Sequence, residues 1–156
     1  MLQVMAPEPF PLSRVLLEAV LADRTSDCFV CELIWPRLGY GPDGAGHWVA
    51  GPDTAEAWGQ AFPLAPQFIA ERPASVALTR SIAKPHKQLL KEQLGFAGYR
   101  IGELYPRRTR RATAVNWLLA HLVERGEALA ERGPLPPLLD QPADPVAGHP
   151  GDLPIR

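Results

Sequence analysis

Cysteine is scarce in this chain. Cys28 and Cys31 are the only two in 156 residues, too few for a disulfide framework, and a reducing cytoplasm is the expected setting. Long hydrophobic runs are missing as well. The richest apolar stretches, Val15 to Ala22 and Trp117 to Val123, fall well short of the ~20 residues that cross a bilayer, so no membrane partner is expected. The first residues lack a basic segment, and Pro7, Pro9 and Pro11 interrupt any apolar core there, which argues against a secretory signal. The four histidines (His47, His86, His121 and His149) show no H-x-x-x-H spacing. No nucleophile elbow, Walker loop, paired-carboxylate motif or internal repeat is present. No catalytic residue, metal ligand or cofactor is therefore expected, and the chain reads as a protein that is not an enzyme.

Proline, by contrast, is abundant. Of eighteen prolines, thirteen gather at 7–11, 63–73 and 134–154. Charge is segregated along the chain. Residues 1–79 hold four Arg against nine Asp or Glu, residues 80–111 hold nine Lys or Arg against Glu92 and Glu103, and residues 112–156 hold three Arg against six acids. A net charge of −1 thus conceals one strongly basic block between two acidic segments, and such a block can select a partner when the total cannot.

Capping signals organise the first third. Ser13 suits the N-cap of a helix to about Ala22, and Thr25-Ser26-Asp27 that of a second helix from Cys28 to Leu38, frayed by Pro36 and closed by Gly39. Asp43-Gly44 predicts a turn between short strands near Tyr40 and Trp48, and Asp53 or Thr54 opens a short helix carrying Trp58. Ser75 to Ile82 alternates in the manner of a strand. Helices are predicted over Lys84–Leu94, with Pro85 in the first turn and Gly95 at the stop, and over Thr109–Arg125, with Val115, Leu118, Leu119 and Leu122 in one stripe. The whole predicts a small α+β domain over residues 1–133, mostly helical with a sheet of two to four strands. Residues 134–156 read as a disordered Pro-rich tail, and removing them is expected to leave stability nearly unchanged.

Several stretches carry a family likeness: Leu78-Thr79-Arg80-Ser81-Ile82, Lys87 to Phe96, Gly98-Tyr99-Arg100-Ile101-Gly102-Glu103, Thr109 to Thr113 and Asn116-Trp117-Leu118-Leu119. A weaker likeness runs from Ser26 through Gly39-Tyr40 to Trp48. In these the chain resembles a small family of cyanobacterial-type proteins catalogued only as a domain of unknown function. Pro36, the cysteine pair and the long tail depart from that pattern. The resemblance implies a phototroph and a cytosolic setting, and assigns no residue a role.

Two motif matches carry little. Gly39 to Gly44 fits G-x-G-x-x-G, but a helix precedes it and Asp43-Gly44 marks a turn, so it reads as a turn rather than a dinucleotide site. Cys28-Phe29-Val30-Cys31 places Cys28 near a helix N-terminus, where a thiol pKa can fall. A zinc site would need two further ligands, and two buried structural thiols one turn apart are the plainer reading. Glu103, inside the basic block, is expected to pair with an arginine.

The basic block is the informative feature. Lys84, Lys87 and Lys91 fall at i, i+3 and i+7 on one stripe, and Arg107, Arg108, Arg110 and Arg111 surround the start of the last helix. Cations at a helix N-terminus oppose its dipole, whereas an anionic partner would reverse the sign. These seven residues are the candidate anion-binding face. The alternative is that the arginines pair with the acidic N-terminal part of the same chain. Trp117 falls outside the apolar stripe, on the side of Arg110 and His121, and is either covered by another element or a partner contact. The expectation is a non-enzymatic module that holds an anionic macromolecule, with nucleic acid leading. A protein–protein adaptor or assembly factor bound to an acidic protein surface is the alternative, and a small enzyme of unrecognised site is third.

Overall fold

Two serines open the fold. In the computed structural model, which describes residues 4–156, Ser13 Oγ accepts the Leu16 N–H at 3.1 Å and starts α1 (Arg14–Leu21). Ser26 Oγ accepts the Phe29 N–H at 3.1 Å and starts α2 (Asp27–Ile34). Each side chain satisfies one of the amide donors a helix start leaves unpaired. Pro36 ends α2 as expected, and the chain tightens into a 3-10 turn over Trp35–Leu38. Gly39 closes that turn at φ 92°, and a Cβ there would lie 2.6 Å from the Thr54 nitrogen; glycine is required.

The predicted hairpin is present but minimal. β1 (Gly41–Pro42) pairs antiparallel with β2 (Trp48–Val49), Gly41 opposite Val49 and Pro42 opposite Trp48. The other side of β2 is occupied too: Ala65 N–H donates to Trp48 O and Ala50 N–H to Pro63 O. α3 (Glu56–Ala61) follows and carries Trp58.

The segment predicted as a strand, Ser75 to Ile82, is instead helix α4 (Arg72–Ser81). Pro73 sits in its first turn, where a missing N–H costs nothing. Ala74, Ser75, Leu78 and Ile82 form its buried side, a spacing that fits 3.6 residues per turn better than two. The predicted Lys84–Leu94 helix is divided into a 3-10 turn (Lys84–His86) and α5 (Leu89–Leu94). Asn116 from the last helix fills the gap: its side chain accepts the Leu90 N–H at 3.1 Å and donates to His86 O at 2.9 Å. A cap supplied from another element thus starts α5.

α6 (Pro106–Glu124) begins three residues before its expected start, with Pro106 in its first turn. It packs against α1, α2, α4 and α5. Because neighbours surround it, every residue from Ala114 to Leu122 except His121 is buried. Central position overrides the one-stripe pattern and covers Trp117, whose ring stacks on His121 at 5.1 Å. The protein is a small α+β domain of six α-helices and one two-stranded sheet among the described residues. No helix among them is long and apolar enough to cross a membrane.

Residues 134–156 are the segment read from sequence as a disordered tail. They form no helix or strand, yet they run over the domain as a strap. Leu139 N–H donates to Arg24 O at 2.9 Å and Gln141 Nε2 donates to Ala22 O at 2.9 Å. Arg156 N–H donates to Ala70 O at 2.7 Å, and Ile155 packs on the core. A sequence with little apolar content is held here by specific polar contacts rather than by buried area.

Candidate functional site

The expected cationic face is largely folded inward. Arg107 and Arg111, one helical turn apart on α6, are both 0 % exposed. Arg107 forms a fork with Asp23, Nη2 to Oδ1 at 2.5 Å and Nη1 to Oδ2 at 2.8 Å, and its Nε donates to Asp27 Oδ2 at 3.0 Å. Arg111 Nη1 donates to Asp27 Oδ1 at 2.9 Å, and its Nη2 donates to Val20 O at 3.0 Å and Thr25 Oγ1 at 2.8 Å. Arg108 donates from Nε to Asp23 Oδ2 at 3.2 Å and pairs with Glu103 at 3.5 Å, as expected for that glutamate. Arg110 is half-buried and donates to Ile69 O and Ala70 O. The guanidinium donors at the start of α6 thus meet the chain's own carboxylates and carbonyls, and no arginine face remains.

The strap seals this cluster. Asp152 Oδ1 accepts the Asp27 N–H at 2.9 Å, its Oδ2 accepts the His149 N–H at 2.8 Å, and Arg107 Nη2 lies 3.6 Å from Oδ2. His149 Nε2 lies 2.9 Å from Asp23 O and 3.1 Å from Asp23 Oδ1. Both are acceptors, so that nitrogen carries the proton. Burial alone would raise the Asp23 pKa, but hydrogen bonds from Arg107 and Arg108 and the charge of Arg111 hold it down at about 2. Asp152 moves the other way, chiefly through burial.

The lysines behave differently. Lys84, Lys87 and Lys91 are exposed, and none lies within ion-pair distance of a carboxylate among the described residues. Lys87 Nζ donates to Thr79 O at 2.9 Å. Lys87 and Lys91 border a recess of about 250 Å³ that also contains Phe96 and Tyr99, whose rings meet edge-on at 5.0 Å. Trp117 is buried and cannot contact a partner.

A larger concavity lies elsewhere. An open cleft of about 660 Å³ runs between α2, the hairpin, the 62–67 segment and the start of α4. Trp35 and Trp48 form part of its lining, their rings 5.3 Å apart, with Phe62, Leu64 and Pro66. Trp35 is fixed by donation from Nε1 to Pro66 O at 2.8 Å. Leu64 is 59 % exposed. A second recess of about 200 Å³ shares Glu32 and Trp48 with the first and extends past Phe10, Phe29 and Glu8. The cleft lining converges from four separate segments of the chain, which no local pattern encodes.

Cys28, on the cleft rim, is exposed rather than buried. Burial of its sulfur, followed by the charge and hydrogen bond of Glu32, pushes its pKa up to about 11, and burial pushes Cys31 to about 12. Both shifts oppose a redox dithiol. Among the described residues no three His, Cys, Asp or Glu side chains gather to hold a metal. Iodoacetamide should therefore label Cys28 slowly at pH 8, with a rate that climbs until pH nears 11, as followed by mass spectrometry. A rate already at its plateau at pH 8 would contradict the assigned environment.

No curated protein matches this chain. A structure solved by solution NMR is 49% identical to it, with a TM-score of 0.66, and the match covers 77% of this chain and all of that one. The family model described as domain of unknown function DUF1823 matches residues 11–123, and this chain belongs to that family.

Proposed function

We propose that the protein is a non-enzymatic adaptor that binds another protein through the Trp48 cleft, in a cytoplasmic setting consistent with its low cysteine content. The carrying observation is the open apolar cleft itself. Exposed Leu64 beside half-buried Trp48 and Phe62 in a concave surface fits the core of a protein interface, whereas the arginines on which an anionic reading leaned are consumed internally. Among the candidate cations, that reading retains Lys84, Lys87 and Lys91. Their recess beside Phe96 and Tyr99 suits stacked bases and phosphates, so single-stranded nucleic acid is the second reading.

One experiment separates them. Wild type, Leu64→Asp and the Lys84→Glu/Lys87→Glu/Lys91→Glu triple variant are recovered from native lysate with and without nuclease. The expected result is a protein partner that survives nuclease, is lost with Leu64→Asp and is kept by the lysine variant. Bound material that nuclease removes and the lysine variant loses would establish the second reading instead.

A further inference from the structure

The cleft and its side recess meet at Glu32 and Trp48, so the two concavities form one elongated groove. Its acidic side chains are Glu8, Glu32 and Glu71, and none of the three forms an ion pair among the described residues. Glu32 meets only the Cys28 thiol, at 3.5 Å. The imidazole on the rim, His47, lies 3.6 Å from Asp43, and no lysine or arginine contributes to the lining of either recess.

From this we infer that the groove receives an extended peptide segment bearing lysine or arginine beside apolar residues. The inference rests on the adaptor reading above. The apolar floor around Trp48 and Leu64 takes the apolar side chains, and the three unpaired carboxylates take the cations. An acidic segment would leave like charges facing one another and is rejected. Both edges of β2 are already hydrogen-bonded to β1 and to residues 63–65. The segment therefore cannot add as a strand on β2 and is read through its side chains.

The test uses a displayed library of random decapeptides selected on the immobilised full chain, with Leu64→Asp as counter-selection. Sequences combining Lys or Arg with Leu, Trp or Pro are expected. The consensus peptide, made synthetically, should bind about tenfold more weakly to the Glu8→Gln/Glu32→Gln/Glu71→Gln variant and lose affinity as salt rises. Circular dichroism confirms that the variant, altered only at rim side chains, remains folded. Selected peptides that depend on Leu64 yet carry no cation, or that bind the triple variant equally well, would overturn the charge assignment and leave the adaptor reading standing. A library with no Leu64-dependent binder would overturn both.

Discussion

Asp23→Asn should unfold this protein at a temperature lower by roughly 10 °C. Asp23 is 1 % exposed and receives hydrogen bonds from Arg107 and Arg108. Asparagine keeps the shape and tolerates the left-handed φ of 61° found there. It removes the charge, however, and turns an NH₂ group toward guanidinium donors. Removing one partner of a buried ion pair costs about 3–5 kcal/mol, because the remaining charge stays buried and uncompensated. Thermal melts of wild type, Asp23→Asn and the exposed control Asp140→Asn measure it; a midpoint equal to that of the control would show that the cluster does not form. The same carboxylate sets an acid limit. Its folded-state pKa of about 2 lies below the ordinary 3.8, so its contribution is complete above about pH 4 and is lost as pH falls toward 2. That contribution is about 2 kcal/mol. Asp152, with a raised pKa, acts in the opposite sense and at higher pH: protonating it relieves its burial, a gain that accrues as pH falls toward the ordinary 3.8 and is complete before the Asp23 loss develops.

Removing residues 134–156 should also destabilise strongly, contrary to what their composition suggests. The strap supplies Asp152 to the Asp27 amide and Arg107, and His149 to Asp23. Without it Arg107 and Asp23 lose buried partners, at a cost of about 3 kcal/mol. A gentler probe is Gly148→Ala. Gly148 has φ 86°, and a Cβ there would lie 2.6 Å from Arg107 Nε and 2.6 Å from Asp152 Oδ2. The substitution should displace the strap, reproduce most of the truncation's loss in a thermal melt and add little when combined with it. A truncated protein as stable as wild type would return the tail to a passive role.

Local chemistry was legible in this sequence and long-range pairing was not. The serine caps at 13 and 26, the stop at Gly39 and the turn at Asp43-Gly44 each depend on neighbours a few residues away. The misread α4 depends on little more: Thr79 Oγ1 donates back to Ser75 O within the helix, while alternation of small residues imitates a strand. The segregation of the arginines is plain in the sequence, and the acidic N-terminal part is one of their two possible counterparts. Which outcome holds depends on the turn after α1 presenting Asp23, and the start of α2 presenting Asp27, across a separation of more than 80 residues, which no local pattern encodes. The contacts of the strap are illegible for a different reason. Composition measures buried area, and three or four well-placed polar groups do not register in it. The cleft was hidden because it belongs to no single element.

The strap also fixes an order of events during synthesis. Asp152 reaches Asp27 across 125 residues, and His149 reaches Asp23 across 126. At ~5–20 residues per second, some seconds separate the emergence of Arg111 from that of Asp152. In that interval α6 can dock on α1 and α2, but the three guanidinium groups lack Asp152 among their carboxylate partners, and the first amide of α2 awaits its acceptor. The nascent domain is then a nearly complete fold with an open seam of unfilled donors, which the strap closes when it emerges. Contacts this distant in sequence form slowly, so refolding of the full chain should end in a strap-docking phase that the truncated chain lacks.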